Sequence, residues 1–156
     1  WEDAVQAYEM GLAGVVLSNH GGRQLDFARS GVEVLEEVMR ELRKRGSFPN
    51  PAFQVMVDGG FRRGTDILKA LAMGATAVGI GRPFLYAYSA YGVDGVIHAI
   101  NLLRDELEMN MRLIGARSIE ELVPSMVDLS ALHNHTGAVF PKQDQSVLDF
   151  MEKSRL

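Results

Sequence analysis

The chain has no cysteine, which removes disulfides, thiolate metal sites and a cysteine nucleophile together. It has no excess of basic residues either: 16 Lys plus Arg stand against 20 Asp plus Glu, for a formal charge of −4. Nucleic acid and anionic membrane surfaces both select for a basic face, so neither is expected as a partner. No apolar run nears the roughly 20 residues needed to span a bilayer, and no basic-then-apolar signal segment opens the sequence. An initiator methionine is also missing: the chain begins Trp1-Glu2-Asp3, and a longer N-terminal part is expected before it. Disorder is excluded as the general state, because 47% of the 156 residues are hydrophobic and 23% charged, the composition of one ordinary globular domain. Glycine is in surplus, with 16 residues, or about 10% against a usual ~7%.

The glycines fall in a pattern repeated three times: helix, short apolar strand, Gly-rich turn. A first helix is predicted over 3–10, closed by Gly11 where a left-handed cap is cheap. Gly14-Val15-Val16-Leu17 follows without polar alternation, as in a strand buried on both faces. A second helix over 31–45 carries Val32, Leu35, Val38, Met39 and Leu42 on one stripe, and Ser30 with Glu33 makes a capping box at its start. The second strand is 53–57. Thr65 is expected to cap a third helix bearing Ile67, Leu68 and Leu71, and Gly74 stops it. The third strand is 76–80. A Tyr-rich stretch (Tyr86, Tyr88, Tyr91) leads to a long helix over 93–114, with Val96, Ile100, Leu103, Leu107, Met111 and Ile114 on one face. A short helix near 119–122 follows, and 128–156 reads as a surface tail. Non-alternating strands joined by helices mean an α/β fold with a parallel sheet. A doubly wound sheet and a (β/α)8 barrel both satisfy this. The last two glycine turns favour the barrel, whose phosphate sites lie after its final strands. A whole barrel needs about 250 residues, so the expectation is the C-terminal portion of one: three β/α units over 1–123 and a tail over 124–156.

Chemistry concentrates at the three strand ends. A phosphate is held by main-chain N–H groups, which glycine lets approach closely, and arginine adds a bidentate grip. Asp58-Gly59-Gly60-Phe61-Arg62 in one loop and Gly81-Arg82 in the next supply these elements twice. One such loop could be a plain strand-to-helix turn; two neighbours, each with an arginine, point to phosphate. Asp58 offers a carboxylate to a polyol hydroxyl. In Ser18-Asn19-His20-Gly21-Gly22-Arg23, His20 suits a general base and Arg23 a substrate carboxylate, which together fit a small hydroxy or keto acid. His133-Asn134-His135 and His98 read as solvated residues, Glu36-Glu37 and Arg43-Lys44-Arg45 as the solvated face and basic end of the second helix. Arg104, Glu108 and Arg112 are spaced for i,i+4 pairing.

The stretch Ser18-Asn19-His20-Gly21-Gly22-Arg23-Gln24-Leu25-Asp26 resembles the active-site signature of the FMN-dependent α-hydroxy-acid dehydrogenases and oxidases. Residues 58–66 and Gly79-Ile80-Gly81-Arg82-Pro83 resemble that family's flavin phosphate region. The resemblance covers about 4–132, and residues 103–113 with Asp128-Leu129-Ser130 are similar to the flavocytochrome-type L-lactate dehydrogenases in particular. It implies FMN as cofactor and oxidation of a small L-2-hydroxy acid to the 2-keto acid. It further implies His20 as base and substrate contact, Arg23 on the substrate carboxylate, Ser18 at the flavin and Asp58 at the ribityl chain. Gly59, Gly60, Phe61, Arg62, Gly81 and Arg82 would then surround the FMN phosphate. No metal is expected, a haem only in an upstream domain, and a homo-oligomer for the full-length protein. The family's earlier strands bring substrate tyrosines, an Asp that orients the base and a Lys beside the flavin. None of these positions lies in the 156 residues, so the segment alone is expected to be inactive and to bind FMN weakly.

Two rivals remain at this stage. An inosine monophosphate dehydrogenase relative shares an Asp-Gly-Gly loop, but that enzyme needs a catalytic cysteine and leaves His20 with Arg23 unexplained. The other is a non-catalytic truncated remnant. Location stays open between mitochondria, by the resemblance, and peroxisomes, because Ser154-Arg155-Leu156 is close to the Ser-Lys-Leu address.

Overall fold

A computed structural model of the chain describes residues 1–132. His133, Asn134, His135 and the Ser154-Arg155-Leu156 terminus lie outside the described residues, as does most of the expected tail. The elements run α1 (Glu2–Glu9), β1 (Gly14–Leu17), α2 (Gly31–Lys44), β2 (Gln54–Asp58), α3 (Gly64–Met73), β3 (Ala77–Gly79) and α4 (Arg82–Leu113), with short 3-10 turns at Ile119–Glu121 and Pro124–Met126. Among the described residues no helix is long and apolar enough to cross a membrane.

The three strands form one parallel sheet in the order β1-β2-β3. Parallel neighbours need a crossover connection, and α2 and α3 provide the two. Register aligns Leu17 with Val57 and Val57 with Val78. On that face Leu17, Val55 and Val57 are buried under Leu35, Val38, Met39 and Leu42, the stripe read from the sequence of α2. Each such side chain taken from water contributes on the order of 1.5–3 kcal/mol, so α2 fixes both the sheet and its register. Ser30 and Glu33 cap it as expected: Ser30 Oγ accepts from Glu33 N–H at 3.3 Å and Glu33 Oε2 accepts from Ser30 N–H at 2.8 Å. On the α1 side, Tyr8 stands edge-on to Phe53, centroids 5.3 Å apart.

Four expectations need correction. The strands are covered on one face only: Val16 is 59% exposed, because α1, α2 and α3 pack on the side of Leu17 and Val57. Second, Glu36 and Glu37 are buried, 7% and 5% exposed; Arg40 pairs with Glu36 at 3.0 Å and Arg29 with Glu37, which makes their burial tolerable. Third, Thr65 does not cap α3. Asp66 Oδ2 accepts from Arg62 N–H and Arg63 N–H at 3.0 Å each, and Glu106 Oε2 accepts from Gly64 N–H at 2.8 Å. Carboxylates one turn in and from a distant helix thus satisfy the free amides.

Fourth, α4 begins at Arg82 and takes in the tyrosines, with a break at Tyr91–Gly92, where Gly92 has φ 59°. Tyr86, Tyr88 and Tyr91 are exposed, and so are Ile100 and Ile114 of the expected stripe. Leu107 and Met111 alone of that stripe join Leu68, Ala72, Ala116 and Leu122 in a second apolar cluster that fastens α4 to α3. The helices meet at Gly64, where an added Cβ would lie 2.5 Å from the Leu107 nitrogen. Leu129 and Leu132 pack against the main core.

The packing at Gly64 and the capping by Asp66 make separable predictions. Gly64→Ala overpacks the α3–α4 crossing and should lower stability by about 1–3 kcal/mol. Asp66→Ala should cost about 0.5–2 kcal/mol, a typical lost cap, whereas Thr65→Ala should leave the urea midpoint nearly unchanged. Equal losses at 65 and 66 would contradict the capping described above.

Candidate functional site

Parallel pairing sends the C-terminal ends of all three strands to one edge, and the loops that leave them meet there. After β1, His20–Gly22 turn once in a tight 3-10 arrangement with φ of 57°, 64° and 73°. A non-glycine residue in that region is uncommon and marks a position that its surroundings hold. Two side chains hold it. Ser18 Oγ accepts from His20 N–H at 3.0 Å, and Asn19 Oδ1 accepts from Gly22 N–H at 3.0 Å. The Asn19 amide also donates to the Arg29 carbonyl at 3.3 Å, tying the turn to the start of α2. His20 and Arg23 are exposed.

After β2, Gly59 and Gly60 have φ of 89° and 88°, a conformation only glycine adopts freely. Phe61, 4% exposed, is buried in the main core. Its side chain therefore anchors the loop, and at the loop surface it offers only main chain. The two arginines that follow differ. Arg63 is engaged by Glu106, with Nη2 2.7 Å and Nε 2.9 Å from Oε1, while Arg62 stays exposed. Asp58, at the last position of β2, has its Oδ1 buried without a hydrogen-bond partner among the described residues. Buried polar atoms are almost always satisfied, so this oxygen points to a donor that the chain itself does not supply.

After β3, Gly81 precedes α4 and Arg82 reaches back, its Nη2 donating to the Gly21 carbonyl at 2.9 Å. The middle loop lies beside the first as well: a Cβ added at Gly59 would sit 3.4 Å from Asn19 Oδ1. The structure thus gathers Ser18, His20, Arg23, Asp58, Gly59, Gly60, Arg62, Gly81 and Arg82 at one sheet edge. An imidazole, several guanidiniums, open glycine main chain and one unsatisfied carboxylate oxygen suit an organic anion that also carries a hydroxyl. Sequence reasoning missed Asn19, Asp66 and Glu106. The Asn-x-x-Gly spacing of a side-chain-closed turn and an acid three residues after Arg63 were available signals for the first two. Glu106, 42 residues beyond Gly64, left none.

Comparison with known proteins adds to this geometry. A family model described as FMN-dependent dehydrogenase matches residues 1–129. An L-lactate dehydrogenase (cytochrome) of Wickerhamomyces anomalus is 60% identical over 133 residues, 85% of this chain and 23% of that protein. A peroxisomal (S)-2-hydroxyacid oxidase of Arabidopsis thaliana is 48% identical over 81% of this chain and 33% of its own length. Among solved structures, the flavin-binding domain of baker's yeast flavocytochrome b2 superposes with a TM-score of 0.81 at 54% identity, covering 95% of this chain and 37% of that one. The chain thus spans about a quarter to a third of the length of these curated relatives.

The Arg63–Glu106 pair that sets Arg63 apart from Arg62 is sensitive to pH. The side-chain hydrogen bond from Arg63, then the Gly64 N–H, hold the Glu106 carboxyl below its ordinary 4.5. A lowered folded-state value means that the contact contributes fully above pH 4.5 and is lost as pH falls through the folded value. Urea midpoints measured downward from pH 7 should drop below about pH 4.5, and Glu106→Gln should flatten that part of the curve; a profile identical to wild type would contradict the pairing.

Proposed function

The chain belongs to the FMN-dependent dehydrogenase family, and on that premise we propose that it is the last three β/α units of a (β/α)8 flavoenzyme that oxidises a small, lactate-like L-2-hydroxy acid. In this reading residues 1–123 are barrel and 124–156 a tail. The observation that carries the proposal is the meeting of the three loops, with Arg82 bonded to the Gly21 carbonyl beside His20. It supports the reading that the glycine loops and His20 serve one site.

The residues present fit FMN on two features of this structure. Gly59 and Gly60 give open main chain in the left-handed region, and nothing lies within 4 Å of a Cβ placed at Gly60 or Gly81; both suit close approach of a phosphate. The unsatisfied Asp58 Oδ1 suits a ribityl hydroxyl donor. The phosphate would be held by Gly59, Gly60 and Gly81 main chain with Arg62 and Arg82, and the α4 N-terminus adds a favourable field. Ser18, whose Oγ accepts from the His20 N–H at 3.0 Å, would contact the flavin. Bound FMN supplies the acceptor for the two electrons that leave the substrate.

The chain's own residues do the rest. Arg23 offers a planar, permanently charged fork to the substrate carboxylate, which orients the hydroxyl-bearing carbon toward the neighbouring loop. Conversion of a 2-hydroxy acid to a 2-keto acid releases two electrons and two protons; His20 would hold one proton on its imidazole, and the other would pass with the two electrons to bound FMN. The three-loop contact keeps base, clamp and phosphate cradle in fixed register, which is how positioning lowers a barrier.

In the full-length protein, His20→Gln should lower kcat by about 10²–10⁴-fold with flavin absorbance retained. Arg23→Met should raise KM, and Arg82→Met should reduce FMN retention. Turnover of an L-2-hydroxy acid by His20→Gln within about twofold of wild type would overturn the assignment of the base.

A further inference from the structure

Nothing in the base-and-clamp chemistry accounts for Asn19, yet it is the side chain on which the loop geometry converges. Its neighbour His20 sits at φ 57°, the first of three consecutive residues in the left-handed region. Such a run reverts to commoner conformations unless its surroundings over-determine it. The Asn19 amide meets two partners of opposite kind: its Oδ1 accepts from the Gly22 N–H at 3.0 Å, beside that N–H's bond to the Asn19 main-chain carbonyl at 3.1 Å, and its Nδ2 donates to the Arg29 carbonyl at 3.3 Å. An amide alone offers both on one planar group, and only one of its two orientations satisfies both.

The chain of contacts continues into the rigid part of the fold. Arg29 is paired with Glu37, buried on α2, and α2 carries the largest share of the core. Asn19 Oδ1 also borders Gly59, since a Cβ added there would meet it at 3.4 Å. Asn19 therefore bonds to the base-bearing turn and to the segment leading into α2, and it borders the glycine loop of the proposed phosphate cradle. Arg82 reaches the turn too, through the Gly21 carbonyl, and Ser18 Oγ accepts from the His20 N–H, but Asn19 alone of these three also bonds to the segment before α2.

We propose that Asn19 is a positioning residue that sets the His20 imidazole relative to the Gly59–Gly60 loop, and that its amide, with one donor and one acceptor, is required for this. The inference rests on the reading of His20 given above. Aspartate at this position would keep the acceptor for Gly22 but set a carboxylate oxygen against the Arg29 carbonyl. Alanine would lose both contacts.

The test compares Asn19→Ala and Asn19→Asp with wild type in the full-length protein, by amide hydrogen exchange without FMN and by steady-state kinetics with it. In Asn19→Ala the Gly22 amide keeps only its bond to the residue 19 main-chain carbonyl, and as the turn loosens it should exchange about tenfold faster. Its kcat/KM for an L-2-hydroxy acid should fall about 100-fold, chiefly in kcat, as for a slightly misplaced reacting group. FMN content should be unchanged, and the acid limb of the pH profile should move. Asn19→Asp should keep Gly22 protected yet lose part of kcat, which separates position from folding. Unchanged Gly22 exchange in Asn19→Ala overturns the proposal. So does turnover by Asn19→Ala within about twofold of an active wild type, or a loss that tracks FMN content and Tm alone. An inactive wild type sinks the flavoenzyme reading instead, and Gly22 exchange then decides the role of Asn19 by itself.

Discussion

The site depends on the parallel ladder. With Leu17 opposite Val57 and Val57 opposite Val78, three separate loops must leave the sheet at the same edge. The register is enforced by packing: a slip of one residue would turn Val55 and Val57 out from under α2 and bring Gln54 and Met56 in. Apolar burial on one face of the sheet thereby fixes polar groups at its end. Those groups are then tied to one another by a few hydrogen bonds, Arg82 to Gly21 and Asn19 to Gly22 and Arg29.

The division of labour between the loops follows from how each is held. Phe61 roots the middle loop in the core while its glycines stay open, and Asp66 and Glu106 gather the amides at the start of α3. Arg63 is thereby committed to Glu106, while Arg62 stays exposed and Arg82 donates to the Gly21 carbonyl. In the first loop the backbone itself is the unusual element, and the side chains of Ser18 and Asn19 keep it so. Such preorganisation is what a binding and proton-transfer site requires, because groups held before substrate arrives need no rearrangement afterwards.

Much of this was legible in the residues. The stripe and capping box of α2, the parallel sheet and the glycine turns at strand ends all follow from local pattern, and each is present. What was not legible involved partners far along the chain. Glu36 and Glu37 look solvated until Arg40 and Arg29 are brought beside them. Val16 looks buried until only one face of the sheet is seen to carry helices. The start of α4 hid behind its tyrosines, although Pro83 in the first turn was a fair sign of a helix beginning there. Thr65 lost the cap to Asp66 and Glu106 because a carboxylate matches several amides at once. At the strand ends the glycine loops were readable; that Arg63 pairs with Glu106, and that Asn19 bonds to Gly22 and Arg29, were not.

The central claim is that these loops enclose one anion cradle, with the base above it. It is tested most directly by comparing the affinity of the full-length apoprotein for FMN and for riboflavin, which differ only in the phosphate. If Arg62, Arg82 and the glycine main chain hold the phosphate as proposed, FMN binds at least about 100-fold more tightly, and Arg82→Met narrows the gap. Equal affinity for the two flavins would contradict the account.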